Sequence, residues 1–165
     1  MYIISHRGLL SGPDKSKENS IDIISSSINK LPGLFYEIDV NILEDEIFLG
    51  HDDLNIRVDY EQLLDLRKNL ILHIKTFSTN NLNSIDLIGR IACDFHFFCH
   101  ENDEFTITNK GWPWIHPKKG FLKGTIAVLP EKNISVSNFN LLIKKDLLGI
   151  CTDYPLEMIE LLNNS

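Results

Sequence analysis

Short apolar runs alternate along this chain with segments whose apolar residues recur at helical spacing. The runs that predict strands are YIIS, FYEIDVNI, EIFLG, LILHIKT, IACDFHFF, GTIAVLPE and GICTD. The segments that predict helices are IDIISSSINKL, DYEQLLDLRKN, NLNSIDLIGR, SNFNLLIKKDL and YPLEMIELLNN. Because strands that alternate with short helices are typical of βα units, the pattern predicts an α/β fold around a mainly parallel sheet.

Cap and turn residues indicate where several of these elements end. Asn19 is placed to cap the first helix, and the acidic residues 44–46 predict the turn of a short hairpin. Residues 100–123 show no regular period, although they contain two tryptophans. We expect Trp112 and Trp114 to plug an irregular core, since large aromatic side chains are usually buried.

Length and composition limit the classes of protein that this chain can be. Its 165 residues, 43% of them hydrophobic and 24% charged, predict one globular domain that spans residues 1–165. The formal net charge is −7, with 16 Lys and Arg residues against 23 acidic ones. We therefore expect no nucleic-acid binding, because a phosphate backbone requires a basic surface. A small phosphorylated ligand stays possible, since a few cations can bind a phosphate locally.

The cysteines and the hydropathy of the chain predict its compartment. Cys93, Cys99 and Cys151 form no C-x-x-C pair, so we expect buried free thiols rather than disulfides or a thiolate zinc site. No basic and apolar leader begins the sequence, and no apolar run approaches the ~20 residues of a membrane-spanning helix. These features predict a cytoplasmic protein without a membrane span.

Two predicted strands carry pairs of polar residues on one face. Glu37 and Asp39 are two residues apart, so both side chains leave their strand on the same side. His73 and Lys75 repeat this arrangement on the third strand. A buried ion-pair cluster would explain the four residues without catalysis. Alternatively, the two carboxylates bind a hard divalent cation such as Mg²⁺ or Ca²⁺.

Two histidines follow apolar strands. His6 precedes Arg7 and Gly8, and His51 precedes an aspartate. Because imidazole titrates near neutral pH, two histidines can act as general base and general acid on one scissile P–O bond. Arg7 would then contact the phosphate, and Gly8 would let the backbone turn away behind it.

These residues lie in a series of short motifs: HRG at 6–8, ENS at 18–20, EIDV at 37–40, GHD at 50–52, IK at 74–75 and TDYP at 152–155. In this order the series resembles the glycerophosphodiester phosphodiesterases, which build a TIM-type barrel. The resemblance implies a (β/α) barrel with its site at the carboxyl ends of the strands. Since such barrels usually need ~200 residues or more, we expect a reduced or incomplete barrel with short or missing helices.

The resemblance also implies an activity, which is the metal-assisted cleavage of a phosphodiester that carries a glycerol or a sugar. It implies that His6 and His51 are the acid/base pair and that Arg7 and Lys75 contact the phosphate. The expected partner is a small phosphodiester substrate. A cyclising variant, in which a 2-hydroxyl group of the substrate attacks in place of water, stays open.

The metal ligands implied by the resemblance are Glu37 and Asp39, with Mg²⁺ or Ca²⁺ as the expected ion. Family members usually carry a further ligating carboxylate two residues before the lysine of the third strand. This chain has His73 at that position, and imidazole favours softer metals. We include His73 among the predicted ligands.

Other expectations concern residues outside these motifs. His100 and Asp103 are further candidates for the site, whereas Asp153 is expected to cap the last helix. A barrel with missing helices would expose apolar sheet, which predicts a homodimer that covers it. Two other functions stay open: an inactive protein that binds a phosphate or sugar phosphate in the same cleft, and a purely structural protein.

Overall fold

The structure is a computed structural model that describes residues 1–52, 56–78, 82–100, 103–116 and 120–164, with residues 82–84 described by their backbone alone. The strands are β1 (Tyr2–Ser5), β2 (Leu34–Leu43), β3 (Glu46–Leu49), β4 (Ile56–Val58), β5 (Leu70–Ser78), β6 (His96–Cys99), β7 (Phe105–Ile107), β8 (Pro113–Ile115), β9 (Ile126–Val128) and β10 (Gly149–Thr152). The helices are α1 (Ile21–Ile28), α2 (Tyr60–Leu66), α3 (Leu82–Asp94), α4 (Asn140–Ile143) and α5 (Pro155–Asn163).

The strands form one mixed sheet that curves into a reduced, TIM-barrel-like half-barrel. Parallel pairs run in the order β6, β5, β2, β1, β10, β9 and β8. The strand β7 is antiparallel to β8, and β3 and β4 extend antiparallel from the end of β2. Because the parallel strands share a direction, their carboxyl ends form a common rim. The expected reduced barrel is confirmed.

Helices cover only part of this barrel, which explains how so short a chain forms it. The helices α1, α2 and α3 lie between the first strands, and α5 follows β10. In the described part of the chain, no helix lies between β6 and β9. Asn109 instead joins the β7–β8 hairpin to β6, since its backbone N donates to Phe97 O at 2.9 Å and its Oδ1 accepts from Phe97 N at 2.9 Å.

The uncovered region exposes apolar side chains. Phe105 and Ile107 on β7 are 51% and 56% exposed. Isolated apolar residues are common on protein surfaces, so this exposure alone does not indicate a partner. The homodimer stays a prediction. No helix in the described part of the chain has the length and apolar character needed to cross a membrane.

Alternation along β2 separates two cores. Tyr36, Ile38 and Val40 are fully buried against the helical layer, where Ser27 Oγ donates to the Tyr36 hydroxyl at 2.8 Å. The other face of the sheet points into the barrel. The residues buried inside include Ile4, Ile71, Phe98, Trp114, Ile126 and Cys151. Burial of each isoleucine or phenylalanine among them stabilises the fold by roughly 1.5–3 kcal/mol.

The two tryptophans fill the barrel below the rim, as expected. Trp112 stacks on Tyr2 with the ring centroids 4.4 Å apart. Trp114 is 4% exposed and packs against Phe98 at 4.6 Å. Trp114 also lines the cleft that contains the motif residues.

Four sequence expectations about elements and burial were wrong. Residues 91–94, predicted as the start of a strand, continue α3, because a short apolar run is compatible with either element. The helix predicted over 137–147 is only the short α4. The cap of α1 is Ser20, whose side chain accepts from Ile23 N, rather than Asn19. The three cysteines are free thiols, but only Cys151 is buried.

Candidate active site

The residues predicted from the motifs line one cleft of about 300 Å³ at the rim of the barrel. Those residues are His6, Arg7, Glu37, Asp39, His51, His73 and Lys75. They come from the turn that follows β1, from the middle of β2 and β5, and from the loop after β3. The cleft thus collects side chains from separate segments of the chain, although the chemical role of each residue stays a prediction.

Glu37, Asp39 and His73 form a compact buried cluster. The pairing of β2 with β5 places Asp39 directly beside His73. His73 Nδ1 lies 3.1 Å from Asp39 Oδ1 and 3.4 Å from Glu37 Oε1. One potential ligand atom from each residue lies within 4.8 Å of the other two, as the binding of a single metal ion requires.

The charges in this cluster shift the ionisation of its members. Burial alone would lower the pKa of His73, but the hydrogen bonds and charges of Asp39 and Glu37 raise it to about 9. Burial would raise the pKa of Asp39, but the hydrogen bond from His73 and the positive charge of Arg7 lower it. In the absence of a metal ion, the cluster therefore favours imidazolium beside carboxylate.

The residues present fit a divalent metal ion. Two carboxylates and an imidazole are donors found in protein metal sites. Among the described residues, His73 Nε2 is buried without a hydrogen-bond partner, whereas Asp39 Oδ2 is paired with Arg7 Nε at 3.1 Å. The fit to a metal ion therefore rests on the chemistry and the closeness of these three donors.

His6 is held by a residue from the far end of the chain. Its Nδ1 lies 2.7 Å from Asp153 Oδ1. Burial would lower the pKa of His6, but this hydrogen bond and the charge of Glu37 raise it. Glu131 in turn holds residues 152 and 153 in place. Its Oε1 accepts from Asp153 N at 2.8 Å, and its Oε2 accepts from Thr152 Oγ1 at 3.0 Å.

The prediction that Asp153 caps the last helix was therefore wrong. Tyr154 is the N-cap of α5, and no side chain donates or accepts a capping hydrogen bond there. Asp153 instead fixes the tautomer and orientation of His6. The only signal in the sequence was that TDYP belongs to the same motif series as HRG, since Asp153 and His6 are 147 residues apart.

Arg7 occupies a strained backbone conformation beside the Glu37–Asp39–His73 cluster. Its φ is 52°, followed by 72° at Gly8, so the chain turns sharply after β1. The turn aims Arg7 N at Glu37 Oε2, 2.9 Å away. The Arg7 guanidinium lies between Glu18 Oε2 at 2.9 Å and Asp39 Oδ2 at 3.1 Å. Its predicted contact with phosphate stays a prediction.

Asn19 has a role that the sequence did not reveal. Its side-chain Oδ1 accepts from Asp39 N at 2.8 Å, and its own N donates to Arg7 O at 2.7 Å. The residue adopts a φ of 58°, which asparagine tolerates better than most residues. Asn19 therefore ties the backbone of a predicted metal ligand to the turn that carries Arg7.

His51 lies on the loop after β3, at the mouth of the cleft. Asn41 Nδ2 donates to Gly50 O at 2.8 Å and so anchors this loop to β2. His51 Nδ1 lies 2.7 Å from Asp52 Oδ1, and His51 Nε2 lies 3.4 Å from Lys75 Nζ. Both predicted catalytic histidines thus have Nδ1 paired with a carboxylate, and Nε2 of His51 also interacts with Lys75.

The two further candidates, His100 and Asp103, also line the cleft. The His100 ring stacks on that of His73, with centroids 4.6 Å apart. Burial and the charge of His73 lower the pKa of His100. His96, although on the same strand face, lies away from the cleft and interacts with Thr108 and Trp112.

Comparison with known proteins supports the fold at this point. No protein-family model matches the sequence, and a search of curated proteins found no significant match. Two similar solved structures are both glycerophosphodiester phosphodiesterases. The enzyme from Parabacteroides distasonis has a TM-score of 0.60 and 14% identity, over 99% of this chain and 86% of its own. The enzyme from Agrobacterium tumefaciens has a TM-score of 0.59 and 11% identity, over 98% and 99% of the two chains. At this level of identity, the comparison establishes that the chain adopts the TIM-barrel-like fold of these enzymes.

Proposed function

We propose that residues 1–165 form one domain that is a metal-dependent phosphodiesterase, which cleaves a glycerol- or sugar-linked phosphodiester by histidine acid/base catalysis. One observation carries this proposal: the buried Glu37–Asp39–His73 cluster and the Asp153-oriented His6 open into the same cleft. The shared fold of solved glycerophosphodiester phosphodiesterases gives independent support. A buried ion-pair cluster would account for Glu37, Asp39 and His73, but it would not involve His6, which lines the same cleft.

The two histidines supply the proton transfers. In hydrolysis, one imidazole takes a proton from the attacking water as its oxygen bonds to phosphorus. The other imidazole gives a proton to the alkoxide as the P–O bond to the alcohol breaks. His6 is held by Asp153 inside the cleft and His51 by Asp52 at its mouth, so the two can act from different directions.

The cations near the cleft bind and orient the phosphate. Lys75 lies beside His51 and presents a compact ammonium charge. Arg7 is held between Glu18 and Asp39, so its positive charge lies beside the predicted metal ligands. When bound at Glu37, Asp39 and His73, a divalent ion supplies Lewis-acid stabilisation of the charge on the phosphoryl oxygens.

The test is a panel of phosphodiesters assayed with Mg²⁺, Ca²⁺, Mn²⁺ and Zn²⁺, with His6→Ala and His51→Ala as variants. We expect each variant to lower kcat/KM by about 100-fold or more, since general acid–base groups typically contribute 10²–10⁴-fold. His96→Gln is the matched control, because it removes a buried histidine outside the cleft and should leave turnover unchanged.

Activity that survives both cleft substitutions would refute the acid/base assignment. Phosphorus NMR of the products distinguishes the two possible nucleophiles, since a cyclic phosphate indicates attack by a substrate hydroxyl and a phosphomonoester indicates attack by water. Tight binding of a phosphodiester without turnover under any ion would instead support the alternative of an inactive binding protein.

A further inference from the structure

Glu37, Asp39 and His73 supply two carboxylates and an imidazole, which are not the ligands that a hard cation prefers. We propose that His73 makes this cluster a site for Zn²⁺, or a similar late first-row divalent ion, rather than for Mg²⁺ or Ca²⁺. The inference rests on the proposed function, because it names the ion of that same site. It replaces the Mg²⁺ or Ca²⁺ expected from the resemblance.

One oxygen of each carboxylate is already engaged by Arg7. Arg7 N donates to Glu37 Oε2, and Arg7 Nε lies 3.1 Å from Asp39 Oδ2. The remaining oxygens, Glu37 Oε1 and Asp39 Oδ1, face His73 Nδ1. The protein thus supplies three single donors, whereas Ca²⁺ takes 6–8 oxygen ligands and often binds carboxylates bidentately. Three protein donors and an open position are the usual set of a catalytic zinc site.

The distances between donors agree with a small ion of tetrahedral coordination. Metal–ligand bonds of about 2.0–2.1 Å at tetrahedral angles place the ligand atoms roughly 3.3–3.4 Å apart. The two distances from His73 Nδ1 to the carboxylate oxygens are 3.1 and 3.4 Å. These two distances are compatible with such an ion, and one ligand atom from each of the three residues lies within 4.8 Å of the others.

The charge at the site also disfavours a hard cation. The affinity of oxygen sites for Ca²⁺ rises with the number of charged ligands. Here an imidazole stands in place of a third carboxylate, and the guanidinium of Arg7 compensates part of the charge on Asp39. Imidazole nitrogen instead binds Zn²⁺, Cu²⁺, Fe²⁺ and Ni²⁺ well. An imidazole in place of a carboxylate lowers the electrostatic affinity of the site for hard ions and adds a nitrogen donor.

The ring of His73 is held in place for this role. It is 7% exposed and stacks on Phe98 and His100, each with a centroid distance of 4.6 Å. The stacking fixes the ring plane, so Nδ1 stays directed at Glu37 and Asp39. A ligand held in this way loses little side-chain entropy when the ion binds.

The test compares metal affinities of the whole chain without substrate, by competition with a chromophoric chelator for Zn²⁺ and by calorimetry for Ca²⁺ and Mg²⁺. Any site binds Zn²⁺ more tightly than Mg²⁺, so the measured quantity is the change in the Zn²⁺-to-Ca²⁺ affinity ratio. We expect His73→Glu to lower this ratio on the order of 100-fold. His96→Gln is the matched histidine control and should keep the affinity for Zn²⁺ within about threefold, since His96 is outside the donor set and outside the cleft.

A second measurement covers the case in which His73→Glu does not fold. X-ray absorption of the Zn²⁺-loaded wild-type chain should show scattering from an imidazole ring, and His73→Gln should remove it. An unchanged affinity ratio in a folded His73→Glu variant, or a wild-type spectrum without imidazole, would overturn the inference.

These outcomes are independent of turnover. If Zn²⁺ binds through His73 but no phosphodiester is cleaved, the proposed function fails and the inference stands. If Mg²⁺ or Ca²⁺ supports turnover and the affinity ratio does not depend on His73, the function stands and the inference fails.

Discussion

The buried histidine below the cleft predicts a measurable pH dependence of stability. His96 is 2% exposed, and its Nε2 lies 2.7 Å from Thr108 Oγ1 while its ring meets the edge of Trp112. Burial, together with the nearby charge of Lys110, lowers the pKa of His96 to about 4, so the side chain is neutral in the folded chain at neutral pH. In the unfolded chain the pKa of a histidine is about 6.5.

The sign and size of the effect follow from these two pKa values. Between about pH 6.5 and 4 the unfolded chain binds a proton at His96 that the folded chain does not, so stability falls as the pH falls. One pKa unit corresponds to about 1.36 kcal/mol. A folded pKa of about 4 then gives a loss of about 2 kcal/mol between pH 7.5 and pH 5.0.

The assay is urea unfolding at a series of pH values, followed by tryptophan fluorescence, for the wild type and for His96→Gln. Glutamine does not titrate, and its amide can still reach a hydroxyl group. Subtracting the two free energies of unfolding removes the contribution of every other titrating group. The wild type should lose about 2 kcal/mol more than the variant between pH 7.5 and 5.0. A difference that stays constant with pH would refute the assignment of His96 as a buried neutral group.

Three further substitutions test the supports of the site. Asp153→Asn removes the charge that orients His6, so kcat should fall by roughly 10–100-fold with little change in KM; a variant within twofold of the wild type would contradict this role. Asn19→Ala removes the acceptor for Asp39 N, and calorimetry should show metal affinity lower by about 10-fold, whereas unchanged affinity would exclude the proposed support. Gly8→Ala should cost about 1–2 kcal/mol in urea unfolding, because its φ is 72°; equal stability would mean that the turn is not strained.

The sequence predicted those features of the site that depend on local spacing. Glu37 and Asp39 could be assigned to one face because side chains in a strand alternate with a period of two. His6 and His51 could be assigned to strand ends because apolar runs precede them. In a parallel barrel the carboxyl ends of strands meet at one rim, so convergence of these residues followed from topology.

The features that were missed depend on contacts between distant segments. Asp153 pairs with His6 across the whole chain, and no local pattern distinguishes such a pairing from a helix cap. Asn19 resembles a cap by position, but its side chain accepts from the backbone of Asp39 on a neighbouring strand. The end of α3 was missed for a different reason, since residues 91–93 form a short apolar run that suits either a helix or a strand.

The most direct test of the proposed function is a phosphorus NMR time course of a glycerophosphodiester incubated with the purified chain. The chain is first freed of metal with a chelator and then reloaded with each divalent ion in turn. We expect the diester signal to convert to a phosphomonoester or cyclic phosphate only after reloading, and not in a Glu37→Gln, Asp39→Asn double variant that removes the carboxylate ligands. Equal conversion by the metal-free chain, or no conversion with any ion, would contradict the account of this cleft as a metal-dependent phosphodiesterase site.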